Sequence, residues 1–230
     1  MDVQKIAMII LLAPGAILAI SLHEAMHGYV ANRFGDPTAK LLGRLTLNPF
    51  KHIDPIGTLI VPAFLFYFGG FLFGWAKPVP VNVLNLRQPK RDMAFVAAAG
   101  PAANLLLAFI ASICLYLLGP ILNLGLNERV LNTVFVPLVI MLLLMLRFNL
   151  MLMLFNLIPV PPLDGGRILT SILPQKTSEW FASIEPYGFF IILGLLMIDS
   201  HVPIFSKTIF PVMNIFLSFM MPGYLATMGV

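Results

Sequence analysis

The chain has 230 residues, of which 59% are hydrophobic and 10% charged, with a formal net charge of +4. Soluble domains carry roughly 25% charged residues, so a surface this poor in charge excludes an ordinary soluble protein and makes lipid the expected solvent. The basic excess, which in a soluble chain would suggest nucleic acid, marks cytoplasmic loops in a membrane protein, and no nucleic-acid partner is expected.

A bilayer needs roughly 20 apolar residues per helical span, and the chain supplies several such runs. The first covers about 6–30. Lys5 and the apolar stretch behind it have the outline of a signal peptide, but the helix continues into a motif that depends on it, so no cleavage is expected. A polar loop follows over 32–54, with turns at Gly35-Asp36-Pro37 and Asn48-Pro49 and a possible short strand over 41–47. The apolar stretch 56–75 is interrupted by Pro62, Gly69 and Gly70. The polar segment 77–92 contains Pro78-Val79-Pro80-Val81-Asn82, which the prolines make extended. Spans are predicted over 93–118 and 133–157, joined by a loop that holds Asn127-Glu128-Arg129. A Pro/Gly-rich break over 159–166 leads through a short amphipathic piece to two last apolar segments, 181–198 and 205–221. Cys114 is the sole cysteine, so internal disulfides are excluded and a buried apolar role is expected.

His23-Glu24-Ala25-Met26-His27 is the sharpest feature. On a helix, residues four apart share a face, so two imidazoles can grip one ion. Glu24, beside the first of them, is placed to act as general base toward water. Ionisable groups at membrane depth are unfavourable and usually functional. Two imidazoles and one carboxylate suit a single Zn²⁺ per chain. Asp164, in the helix-breaking run from Asn156 to Gly166, is the candidate third ligand, because unwound backbone within a membrane protein is tolerated where it is buried or lines a cavity. An Asp-Gly in a Pro-rich turn also has a plain turn reading. Asp36, Asp54 and Asp92 are competing carboxylates, and turn or cap roles suit Asp36 and Asp92.

The pairing of His23-Glu24-x-x-His27 in the first span with Asn156 and Pro162-Leu163-Asp164-Gly165 after a later one resembles the site-2 proteases, intramembrane zinc metalloproteases. Gly100-Pro101-Ala102-Ala103-Asn104 also resembles that family. The resemblance covers about the first 170 residues and is closest to a minimal branch without an added soluble domain. It implies His23, His27 and Asp164 as metal ligands, Glu24 as catalytic base, and Asn156 as a contact to the substrate backbone or the developing oxyanion. For Asn156 the other reading is capping of the broken helix. It further implies a transmembrane protein or peptide as substrate, residence in the cell membrane of a prokaryote, and a strand near 78–82 that holds the substrate extended, for which an ordinary proline-rich connector is the other reading. A zinc carrier, a sensor and a non-catalytic scaffold are the alternatives, and Glu24 is the residue that none of them needs.

If the two motifs meet, the first span and 133–157 run the same way and 93–118 runs opposite. The polar segments 32–54 and 77–92 then share one side. Their basic residues, among them Arg33, Lys40, Arg44, Lys51, Lys77, Arg87, Lys90 and Arg91, make that side cytoplasmic. The stretch 56–75 is then re-entrant, with its apex near Gly69-Gly70, and the site lies toward the cytoplasmic leaflet. The expectation is one all-α membrane domain over 1–230, with about five transmembrane helices, a re-entrant element and possible short strands. Residues 1–170 would form its catalytic core and 171–230 additional helices. Asn104 should bond between helices, and the small residues 97–103 should allow close packing. Arg147 either pairs with Glu185 or lines the substrate cavity, and His52 is either a neighbour of the metal site or an interfacial histidine.

Overall fold

The computed structural model describes residues 3–61, 64, 76–122, 124, 127–199 and 203–221. Their secondary structure is helical, and no strand occurs among them, so the short strand expected over 41–47 is replaced by the single helical turn Thr38–Leu41 and a turn behind it. The long helices are α1 (Val3–Arg33), α2 (Pro89–Leu122) and α3 (Val136–Asn156), followed by α4 (Asp164–Ile172), α5 (Gln175–Ala182), α6 (Gly188–Asp199) and α7 (Ile204–Met220). Four helical stretches, 6–33, 89–122, 128–156 and 175–199, are long and apolar enough to cross a membrane, the last joining α5 and α6 through a turn, and α7 is a shorter apolar helix. Asn127 is not mid-loop as expected: its side chain accepts the Arg129 N–H, and the helix leading into α3 begins there.

Contacts along α1 fix the helix directions. Gly15 sits against Met145 of α3, where an added Cβ would lie 3.1 Å from the methionine Cβ. Ala19 and His23 of α1 meet Asn104 of α2, and His27 meets Val96. Rising numbers on α1 therefore match falling numbers on α2. Asn104 in turn bonds Asn149, so Ala19 lies level with a residue four beyond Met145, and α1 and α3 run parallel. The buried small residues Ala97, Ala99, Gly100 and Ala103 let α2 approach its neighbours closely, while Ala102 faces outward. Away from the polar centre, Ala108, Ala111, Leu142, Leu146, Leu150 and Met153 pack with Leu217 and Met221. Large apolar side chains such as Ile10, Leu106, Ile113 and Tyr116 are exposed on the outer faces, as a lipid solvent requires.

The two polar segments form one layer. Both oxygens of Asp36 are used: Oδ1 accepts from Thr38 and from Asn85 Nδ2, and Oδ2 accepts the Asn82 N–H. The Lys77 N–H donates to the His52 carbonyl and the Arg87 N–H to the Phe34 carbonyl. The chain thus leaves this layer after Asp54 and is back beside His52 at Lys77. The residues on either side of 56–75 lie in one hydrogen-bonded layer, and most of the stretch expected to be re-entrant lies outside the described residues. Its proposed apex at Gly69-Gly70 lies outside the described residues, as does His201.

Candidate metal centre

Beyond α3 the chain cannot stay helical through Pro159, Pro161 and Pro162, because proline lacks the N–H that the helix ladder needs. The break runs over 157–163, and Asp164 opens α4. Gly165 and Gly166 hold α4 directly on that break: a Cβ at Gly165 would strike the Leu157 carbonyl, and one at Gly166 the Pro161 nitrogen. Asp164 is thereby pressed against α1. Its Oδ2 lies 3.2 Å from His23 Nε2 and 3.4 Å from His27 Nε2, and all three residues are buried or nearly so.

The proton inventory of this cluster follows from its neighbours. Backbone carbonyls can only accept. The Ala19 carbonyl takes a hydrogen bond from Asn104 Nδ2 at 3.3 Å, which fixes the Asn104 amide and turns its Oδ1 toward His23 Nδ1 at 2.6 Å. Asn149 braces the same amide: its Oδ1 accepts from Asn104 Nδ2 at 3.0 Å, and its own Nδ2 donates to the Met145 carbonyl at 2.9 Å. His23 Nδ1 must therefore be the donor. His27 Nδ1 likewise donates to the Val96 carbonyl at 2.8 Å. In the neutral imidazoles both Nε2 atoms then carry lone pairs, and both point at Asp164 Oδ2, a buried oxygen that takes no hydrogen bond.

Three lone pairs converging in this way are repulsive unless a proton or a metal cation sits among them, and the Nδ1 bonds leave both Nε2 atoms free to face a metal. These ligand atoms all lie within 4.8 Å of one another. Donors about 2.0–2.1 Å from a tetrahedral zinc would stand roughly 3.3 Å apart, close to the two spacings from Asp164. Space for the ion is kept by Gly100 of α2, where a Cβ would fall 2.5 Å from His27 Nε2 and 2.6 Å from His23 Nε2. The residues present fit a metal ion on all three counts: donor type, spacing and room.

Glu24 is half-buried one residue along α1, and its Oε2 accepts the Val79 N–H at 2.8 Å. Asn156, at the last position of α3, is half-buried and donates from Nδ2 to the Leu152 carbonyl at 2.9 Å, a bond within its own helix.

A sequence profile described as peptidase family M50 matches residues 11–198. The chain belongs to that family, the site-2 proteases. It is 38% identical over 198 residues to YwhC of Bacillus subtilis (strain 168), provisionally named a zinc metalloprotease, covering 86% of this chain and 83% of that protein. It is 31% identical over 193 residues to Rip2 of Mycolicibacterium smegmatis, which carries the same provisional description, over 84% of this chain and 68% of Rip2. Zinc metalloprotease MJ0392 of Methanocaldococcus jannaschii is 30% identical over 159 residues, 69% of this chain but 33% of the longer relative. No solved structure matches. Membership of this family and the His-His-Asp donor set together support zinc as the cofactor.

The competing carboxylates and His52 of the M50 chain make contacts within the loops and helix starts. Asp36 ties the polar layer together, Asp92 of α2 accepts the Gln88 N–H, and Asp54 accepts from Ile56 and Gly57 at the start of the π-helical turn Pro55–Ile60. His52 is buried and donates from Nε2 to the Thr46 carbonyl, away from the metal group. The pairing of Arg147 with Glu185 does not occur: Arg147 is exposed, and Glu185 bonds Arg167 at 3.0 Å. Two roles escaped the sequence reading. Nothing in the order of residues says that Gly100 makes room beneath two imidazoles. A backbone N–H such as that of Val79 leaves no mark in a side-chain motif.

Proposed function

We propose that this chain is an intramembrane zinc metalloprotease that hydrolyses peptide bonds in transmembrane segments of membrane proteins. The observation that carries it is the convergence of two imidazole Nε2 atoms and one carboxylate oxygen from two distant parts of the chain, with a second carboxylate one residue from the first histidine. His23, His27 and Asp164 would hold the ion. Zinc in such a site acidifies water and polarises a carbonyl. Glu24 takes the proton of the attacking water and returns it to the leaving amine. Asn156 has two amide hydrogens, of which Leu152 engages one, and the other can serve the developing oxyanion. Asn104, Asn149 and the Val96 carbonyl hold the imidazoles in the tautomer the ion requires.

His27 and His23 lie six and ten residues before Arg33, the end of α1. At ~1.5 Å per residue that is about 9–15 Å inward, within a hydrocarbon core roughly 30 Å thick. The basic residues of the polar layer support a cytoplasmic position for that end of α1, and with it cleavage in the cytoplasmic leaflet of the cell membrane.

The test is metal content and cleavage measured together, on wild type, His23→Ala, Asp164→Ala and Glu24→Gln in detergent. A quenched fluorogenic apolar peptide that wild type cuts serves as reporter. About one zinc per chain, lost in the first two variants and kept in the third, with turnover abolished in all three, is the expected pattern. Zinc retained in Asp164→Ala removes that residue from the ligand set, and turnover by Glu24→Gln removes the base.

A further inference from the structure

Pro78-Val79-Pro80 crosses α1 directly beside the site. Two of its three residues lack a backbone N–H, so Val79 supplies its one backbone donor, and that donor lies 2.8 Å from Glu24 Oε2. The residue before a proline is confined to extended backbone, which restricts both Lys77 and Val79 before any contact is made. Glu24 and Gly28 are one turn apart on the same face of α1. Over Gly28 the segment comes close enough that an added Cβ would stand 3.0 Å from Val79 Cγ1, with Ala39 and Leu45 packed into the same space. Val79 is accordingly 6% exposed. Both ends of the crossing are tied to the loop after α1. Lys77 donates to the His52 carbonyl at 2.8 Å, Arg44 Nη2 donates to the Lys77 carbonyl at 2.7 Å, and Asn82 donates to Asp36 Oδ2 at 2.7 Å.

We propose that Pro78-Val79-Pro80 is a positioning strap for the general base: the Val79 N–H holds one oxygen of the Glu24 carboxylate and leaves the other, Oε1, to take the proton of water. The inference rests on Glu24 being that base. A free glutamate would sample several rotamers. A charge-assisted bond from a doubly anchored backbone amide fixes one of them and needs no side chain that could itself move away. Val79 is a positioning residue, acting through Glu24. Since the strap neither ligates the ion nor lines its donors, its loss should leave zinc in place.

The experiment compares Val79→Pro, which removes the N–H but suits an extended proline-rich segment, with Val79→Ala, which keeps the N–H and removes the packing. Zinc content, helical circular dichroism, kcat and KM are read for both in detergent, with the same fluorogenic peptide. Val79→Pro should keep zinc, helicity and KM while kcat falls about 10- to 100-fold, the scale expected when a reacting group is misplaced by about 1 Å. Val79→Ala should keep kcat within about threefold, since its donor is intact. Equal losses in the two variants, lost zinc or helicity in Val79→Pro, or a raised KM with unchanged kcat would each overturn the proposal; the last would give the N–H to the substrate instead. Glu24→Gln in the same series separates the two readings. If it turns over substrate, the base assignment fails. If it is inactive while Val79→Pro retains full kcat, the strap alone fails.

Discussion

At the scale of single residues, the site depends as much on neutral groups as on its ligands. Gly100 keeps open the space between two imidazoles, and the proposed ligand set makes a direct demand on it. Gly100→Ala would put a methyl 2.5 Å from His27 Nε2, where backbone cannot yield cheaply because both helices are packed. The expected outcome is a folded protein that no longer retains zinc through gel filtration, with helicity unchanged by circular dichroism. Asn104 acts one bond further out. Removing a partner that orients a metal-bound histidine typically weakens metal affinity about 10- to 100-fold. Asn104→Ala should therefore lose zinc to a competing chelator at correspondingly lower concentration than wild type. An unchanged competition curve would leave Asn104 a packing residue only. The sequence made both positions visible in different degrees. Two amides at depth in apolar spans, Asn104 and Asn149, call for partners in any hydrocarbon environment, and they find each other. A glycine among alanines carries no such signal until its neighbours are known.

At the scale of elements, the break between α3 and α4 and the loop behind α1 carry the site between them. The break was legible because Pro159, Pro161 and Pro162 fall so close together that the helix ladder loses several N–H groups at once. The loop was less so: 41–47 reads as a strand by composition, yet the turn chemistry of Asp36 wins, folding Thr38–Leu41 into a helical turn. Asp36 is the hub of this layer. Burial alone would raise its carboxyl pKa, but hydrogen bonds from Thr38, Asn85 and Asn82 outweigh it and hold the group below the ordinary range. A pKa depressed by folding gives stability that is present above the unfolded value, about 3.9, and is lost as pH falls through the folded value. Acidification below about pH 4 should thus loosen the 82–85 attachment. Limited proteolysis should cut wild type faster between 76 and 88 under those conditions. Asp36→Asn, which cannot hold a charge at this hub, should be cut there at a rate that depends much less on pH across the same window.

At the scale of the whole molecule, the motifs, the helix directions and the basic residues are one constraint seen three ways. His23 and Asp164 can meet only if α1 and α3 run parallel with α2 reversed between them, and the bonds from Ala19 to Asn104 to Asn149 are that arrangement in atoms. Antiparallel α1 and α2 cannot be joined by an odd number of crossings, so the polar segments on either side of 56–75 must share a face. Their mutual hydrogen bonds place them there. The number and limits of the later helices were harder to read, because uniform apolarity signals a span without marking where it starts. α6 begins at Gly188, seven residues after the expected start. At that point close approach to the Pro161 carbonyl leaves no room for a side chain. The orientation prediction follows from the charges. After Cys114 is replaced by alanine, single cysteines at Lys40, Leu84 and Glu128, all exposed, should divide into two classes toward a membrane-impermeant thiol reagent in intact cells. Lys40 and Leu84 should be protected and labelled only after permeabilisation, while Glu128 should be labelled from outside. Opposite behaviour of Lys40 and Leu84 would require a full crossing by 56–75. Joint external labelling of those two would keep the fold but turn the site to the other leaflet.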